Sequence, residues 1–120
     1  MLLDSNIIIY SFLPEFQVLQ ETLKNNEICC SVISCLETLG YHKLSKDEQH
    51  YLQLFFEAIT VLPITQPIID TAIVLRQQRK MSLGDALVAA TAFEHHQTLL
   101  TRNVKDFEKV EGLKVVNPLQ

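Results

Sequence analysis

Leu2-Leu3-Asp4-Ser5-Asn6-Ile7-Ile8-Ile9-Tyr10-Ser11-Phe12 decides the fold. Leu2 and Leu3 open a short apolar strand that ends near Asp4, Ser5-Asn6 leads into a short helix over Ile7 to Phe12, and Pro14 breaks it. An apolar strand, an acid at its end and a helix directly after form a unit whose recurrence is the first question to put to the rest of the chain.

It recurs. Phe16, Leu19 and Leu23 repeat at helical spacing up to Asn25-Asn26, then Glu27 to Ser31 reads as a second strand. Ser34 with Glu37 has capping-box spacing for a helix to about Tyr41. From Asp47 the chain is plainly amphipathic, with Leu52, Phe55, Phe56 and Ile59 on one face. Thr60 to Leu62 is a third strand closed by Pro63, and a helix follows from Thr65 with Pro67 in its first turn and Ile68, Ile69, Ala72, Ile73 and Leu75 toward the core. Met81 to Gly84 interrupts the pattern, and Asp85 heads an Ala-rich helix through His95. Thr98 to Thr101, a turn or short helix over Asn103 to Glu108, and Leu113 to Val116 complete the series. The expected fold is α/β: a three-layer α/β/α sandwich around a mostly parallel sheet of about five strands, with residues 1–120 forming one domain.

Composition narrows the function. At 120 residues and 48% apolar the chain has material for one core. The richest apolar run, Ala86 to Phe93, contains Thr91 and is far short of the roughly 18 residues a membrane span needs. Met1-Leu2-Leu3 meets Asp4 at once, unlike a secretory leader, so the expected location is cytoplasmic and away from membranes. Cys29, Cys30 and Cys35 read as buried thiols, and with His42 they match no common zinc spacing. The net charge of −4 argues against coating DNA by bulk electrostatics but suits an enzyme that gathers carboxylates around a cation.

Ligands of open parallel sheets bind beyond the carboxyl ends of the strands. Asp4, Glu37, Asp85 and Asp106 fall there. Three of them also have a plain structural reading: Asp4 as a helix cap, Glu37 paired with Ser34, and Asp85 three residues after Ser82. Convergence on one rim is the feature that separate caps do not require, and carboxylates brought together repel unless a cation neutralises them. Oxygen donors without His or Cys suit Mg2+ or Mn2+, and the matching chemistry is metal-assisted phosphodiester hydrolysis by water. His42, His50, His95 and His96 receive no role, the last two lying at a helix C-terminus.

Four segments together, Leu2 to Tyr10, Ser31 to Glu37, Leu83 to Ala92 and Leu100 to Phe107, with Gly112 to Pro118 as a last strand, resemble the PIN domain end to end. At this size the chain looks most like the VapC toxins of toxin-antitoxin pairs. The resemblance implies a Mg2+-dependent endoribonuclease acting on RNA, restrained by a protein antitoxin, and a homodimer. It puts Asp4, Glu37 and Asp85 at the family's acidic positions, with Asn6 and Thr101 as supporting polar residues. Many members carry an acid directly after the Thr-Arg pair, where this chain has Asn103; Asp106 stands in for it, with Asn103 acting through a water.

RNA-binding candidates are Arg76, Arg79 and Lys80, whose spacing puts them on one helix face, and Arg102 and Lys105 beside the fourth segment. A solvated face is the plain alternative for these. Two rival functions remain: a PIN-fold binding module without catalysis, and a phosphoacceptor receiver, which lacks support because Leu62-Pro63 stands where its aspartate belongs. Phe16 and Leu19 mark a candidate docking surface for the antitoxin.

Overall fold

A computed structural model describes residues 1–119. Among them run β1 (Leu2–Leu3), α1 (Ser5–Ser11), a 3-10 turn (Pro14–Phe16), α2 (Gln17–Lys24), β2 (Cys29–Ser31), α3 (Val32–Leu39) and α4 (Lys46–Ala58). β3 (Thr60–Leu62), α5 (Gln66–Gln78), α6 (Leu83–Glu94), β4 (Leu99–Leu100), α7 (Val104–Phe107) and β5 (Val115–Val116) follow. The strands form one parallel sheet in the order β3-β2-β1-β4-β5, with Leu2 opposite Cys29 on one side and Leu99 on the other. The expected α/β sandwich is the observed one.

Period-two alternation explains how such short strands hold three layers together. Leu2, Cys29 and Leu99 enter one core with Ile68, Ala72 and Leu75 of α5, the buried face of α6, and Phe107. Leu3, Cys30 and Leu100, one residue on, enter the other with Ile7, Ile8, Leu19, Leu23 and Leu52. Adjacent Cys29 and Cys30 therefore belong to opposite cores, and both are free thiols. α6 is buried from Ala86 through Ala92, and its alanines let it lie close to α5 and the sheet.

Several boundaries differ from the sequence expectation. α3 is capped by Ser31, whose Oγ accepts from Ile33 N, so Ser34 and Glu37 lie inside the helix and form no capping box. The capping box belongs to α4, where Ser45 and Glu48 satisfy each other's backbone N–H. Ser82 caps α6 by accepting from Asp85 N, so that helix starts two residues before Asp85. Ile73 is half exposed, because α5 buries only its Ile68–Ala72–Leu75 stripe. α5 ends at Gln78, leaving Arg79 extended and Lys80 beyond the helix; with Arg76 they share no helix face. Leu19 is buried in the core and so is no part of a docking surface. No helix among the described residues is long and apolar enough to cross a membrane.

Candidate active site

Each acid reaches the rim by a different local route. Asp4 follows β1 directly and caps α1, its Oδ1 accepting from Ser5 N at 2.8 Å. Its Oδ2 accepts from Thr101 Oγ1 at 2.7 Å, across 97 residues of sequence, and Thr101 Oγ1 in turn accepts from Asn103 N at 3.0 Å. Glu37 comes from the second turn of α3, Asp85 from the first turn of α6, and Asp106 from α7 after β4. The parallel sheet explains the placement of Asp4, Glu37 and Asp106, which follow β1, β2 and β4, whereas Asp85 follows helix α5 and is brought to them by the packing of α6.

Asp4 lies within range of the Glu37 and Asp85 charges, and Asp85 within range of Asp106 and Glu37. Burial pushes the Asp4 carboxyl above the usual carboxylate range, opposed by the hydrogen bonds from Thr101 and Ser5, with the charges of Asp85 and Glu37 pushing it further up. Asp85 is also raised, first by burial, against its hydrogen bond with Ser82, and then by repulsion from Asp106 and Glu37. The charges that act on Asp4 and Asp85 are thus all carboxylates. Asp106 is exposed and acts on Asp85, forming the outer lip.

Mutually repelling oxygen donors, one buried (Asp4), one half-buried (Asp85) and two exposed (Glu37 and Asp106), fit a hard divalent ion that water also reaches. Among the described residues no three His, Cys, Asp or Glu side chains are gathered around a single point. Such a spacing leaves one or two carboxylates to a single ion, which Mg2+ accepts because it keeps several of its waters.

Of the supporting residues, Asn6 Oδ1 accepts from Arg102 N at 3.3 Å and ties α1 to the loop after β4. Arg102 is exposed with its guanidinium 4.7 Å from the centre of the Tyr10 ring. Arg102, Asn103, Lys105 and Asp106 line a surface depression of about 660 Å³. Arg76 instead donates from Nε to Met81 O, bracing the α5–α6 turn. Arg79 donates to Gln78 Oε1, and its Nη1 is buried without a partner. A larger groove of about 1040 Å³ is lined by Glu27, Thr60 and Gln97, at the opposite ends of the strands, and holds none of the four acids.

Three residues of this site went unread in the sequence. Ser5 Oγ donates to Glu37 Oε1 at 2.9 Å and lies 3.0 Å from Ser34 Oγ, so Ser5 of α1 holds the Glu37 carboxylate while Ser34 of α3 bonds Ser5. Gly84 lies under that same carboxylate. Ser34 and Glu37 at i and i+3 on one face were the available signal, but it read equally as a cap. Gly84 has no signal beyond its place before Asp85.

Comparison with known proteins extends these observations. The sequence profile of the PIN domain matches residues 1–113. Ribonuclease VapC2 of Rickettsia felis is 28% identical over 97% of this chain and 96% of its own. Ribonuclease VapC1 of the same organism is 46% identical over 41 residues, 34% of this chain and 31% of its own. A toxin-antitoxin complex from Klebsiella pneumoniae contains a chain 31% identical, with TM-score 0.80 over 98% of this chain and 96% of that one. VapBC2 from Rickettsia felis, bound to a DNA fragment from its promoter, shares the fold at 24% identity and TM-score 0.81, over 97% and 96%.

Proposed function

This chain belongs to the PIN domain family, and on that premise we propose that it is a Mg2+- or Mn2+-dependent endoribonuclease, the toxin of a toxin-antitoxin pair. The observation that carries the reading is a chain of neighbouring carboxylates from four separate segments: Glu37 and Asp85 raise Asp4, and Asp106 and Glu37 raise Asp85, each in addition to burial. It is supported by the similarity to the Rickettsia felis VapC ribonucleases and to the toxin-antitoxin complex from Klebsiella pneumoniae.

In this reading Asp4 and Asp85 are the main metal-binding groups, with Glu37 and Asp106 completing the acidic set. A bound divalent ion supplies positive charge to the scissile phosphate and lowers the pKa of a water. The chain's own residues do the positioning. Asp4 is clamped on both oxygens, by Ser5 N and Thr101 Oγ1, so its carboxylate cannot swing out of the site. Asn103 fixes the Thr101 oxygen and Asn6 fixes the main chain at Arg102. Arg102 and Lys105, exposed beside Asp106, attract RNA phosphates toward the acids. Water adds to phosphorus, the bond to the ribose oxygen breaks, and that oxygen takes a proton.

The partners in this reading are RNA, an antitoxin protein and a second copy of the chain, and the setting is the cytoplasm. Exposed Val32 and Leu36 of α3 with Ile73 and Val74 of α5 offer apolar area for assembly, which sedimentation reads directly.

The test is incubation of the purified chain with a pool of structured RNAs in Mg2+ or Mn2+. Discrete fragments are expected, and EDTA, Asp4→Asn or Asp85→Asn each remove them. Undiminished cleavage by the Asp4→Asn, Asp85→Asn double variant sinks the mechanism. Metal binding without cleavage, and without toxicity on expression, favours a PIN-fold binding module instead.

A further inference from the structure

Gly84 sits in the first turn of α6 between its first residue, Leu83, and Asp85. Its backbone is ordinary helix, so no left-handed conformation calls for glycine there, and within a helix alanine is the better former. Space is what distinguishes the position. A Cβ on Gly84 would stand 2.8 Å from Glu37 Oε2, 3.4 Å from Cδ and 3.6 Å from Oε1. The Glu37 carboxylate therefore lies over the bare Cα of α6, while Ser5 Oγ grips Oε1 at 2.9 Å.

We propose that Gly84 is a positioning residue: its missing side chain is the seat that lets Glu37 close on the first turn of α6 beside Asp85. The proposal rests on the metal-nuclease reading for its purpose and on the contact geometry for its existence. A methyl group at this position meets only the far end of a flexible side chain. The helix keeps its place, and the Glu37 carboxylate retreats from 2.8 Å to an ordinary contact of at least 3.4 Å. The retreat moves it away from Asp85 and strains its bond to Ser5.

The experiment uses the whole chain with Gly84→Ala, alone and combined with Glu37→Asp. Mn2+ binding is read by calorimetry, and the side-chain carboxyl carbon of Glu37, or of its shorter replacement, by NMR without metal. Gly84→Ala keeps or raises the melting temperature, shifts the Glu37 resonance and weakens Mn2+ binding about tenfold. Glu37→Asp, one methylene shorter, weakens binding in the wild type, and Gly84→Ala then adds no further loss because the shorter carboxylate no longer reaches the seat, a non-additivity that a general folding defect does not produce. Wild-type affinity with an unmoved resonance in Gly84→Ala overturns the proposal, as does a Gly84→Ala loss of equal size in the Glu37→Asp background. A wild-type chain that binds no Mn2+ overturns the metal reading, and the resonance then reports by itself whether Gly84 seats Glu37.

Discussion

Asp4 and Asp85 are both held at a cost in the metal-free protein, but only one of them is readily relieved. Asp4 accepts from two donors of opposite origin, and an amide in its place has a single acceptor oxygen, so Asp4→Asn exchanges repulsion for a lost hydrogen bond. Asp85 is less enclosed, and an amide there keeps one oxygen for Ser82. Because the folded pKa of Asp85 is raised above 3.8, the folded chain favours the protonated form. The resulting penalty is absent below about pH 3.8, where both folded and unfolded chains carry the proton, and grows as pH rises through the folded pKa. In EDTA, Asp85→Asn is therefore expected to melt on the order of a few degrees higher at pH 7, with the gain shrinking as the pH falls toward 3.8. A lower melting temperature at pH 7 contradicts this account. The acids were legible as candidates, because Asp4 ends the first strand, Glu37 falls in the helix after the second, Asp85 opens a helix and Asp106 follows the fourth strand. Ser5, Ser34 and Gly84 were not, since their part depends on one helix meeting another.

At the scale of elements, the sequence read order and type well and ends poorly. The three- and two-residue strands β2, β4 and β5 are shorter than the expected ones, although the flanking Thr98 O, Thr101 N and Lys114 O still bond across to neighbouring strands. Ser34–Glu37 and Ser45–Glu48 have the same spacing, yet only the second closes a capping box; in the first, Ser31 has already taken the cap. The α4 box is remote from the acids, so it separates stability from activity. Ser45→Ala is expected to lower stability by about 1 kcal/mol, read by denaturant unfolding, while RNA cleavage by the folded protein stays at wild type. The expected Arg76–Arg79–Lys80 stripe failed for an element-level reason: Arg79 is where α5 ends, and past that point helical spacing has no meaning.

For the molecule as a whole, the alternation of strand and helix was enough to foresee the parallel three-layer sandwich and the edge that carries the acids. Which charges neighbour which was beyond reach, because it depends on the strand order β3-β2-β1-β4-β5. A cation that binds only the folded rim must raise global stability by mass action, about 2.7 kcal/mol at one hundred times its dissociation constant. Melting scans with increasing Mn2+ are expected to show a concentration-dependent rise that Asp4→Asn abolishes; an equal rise in the variant places the ion elsewhere. The position of β1 has a temporal consequence as well. β1, earliest of the five strands in the sequence, is the middle strand of the sheet, and Leu2 N and Asp4 N bond to Thr98 O and Leu100 O. During synthesis, Asp4 has no Thr101 to hold it until β4 has been made, 97 residues later in the sequence. The clamp on Asp4 is thus closed long after Asp4 itself exists, by a segment that must fold back onto a strand already waiting for it.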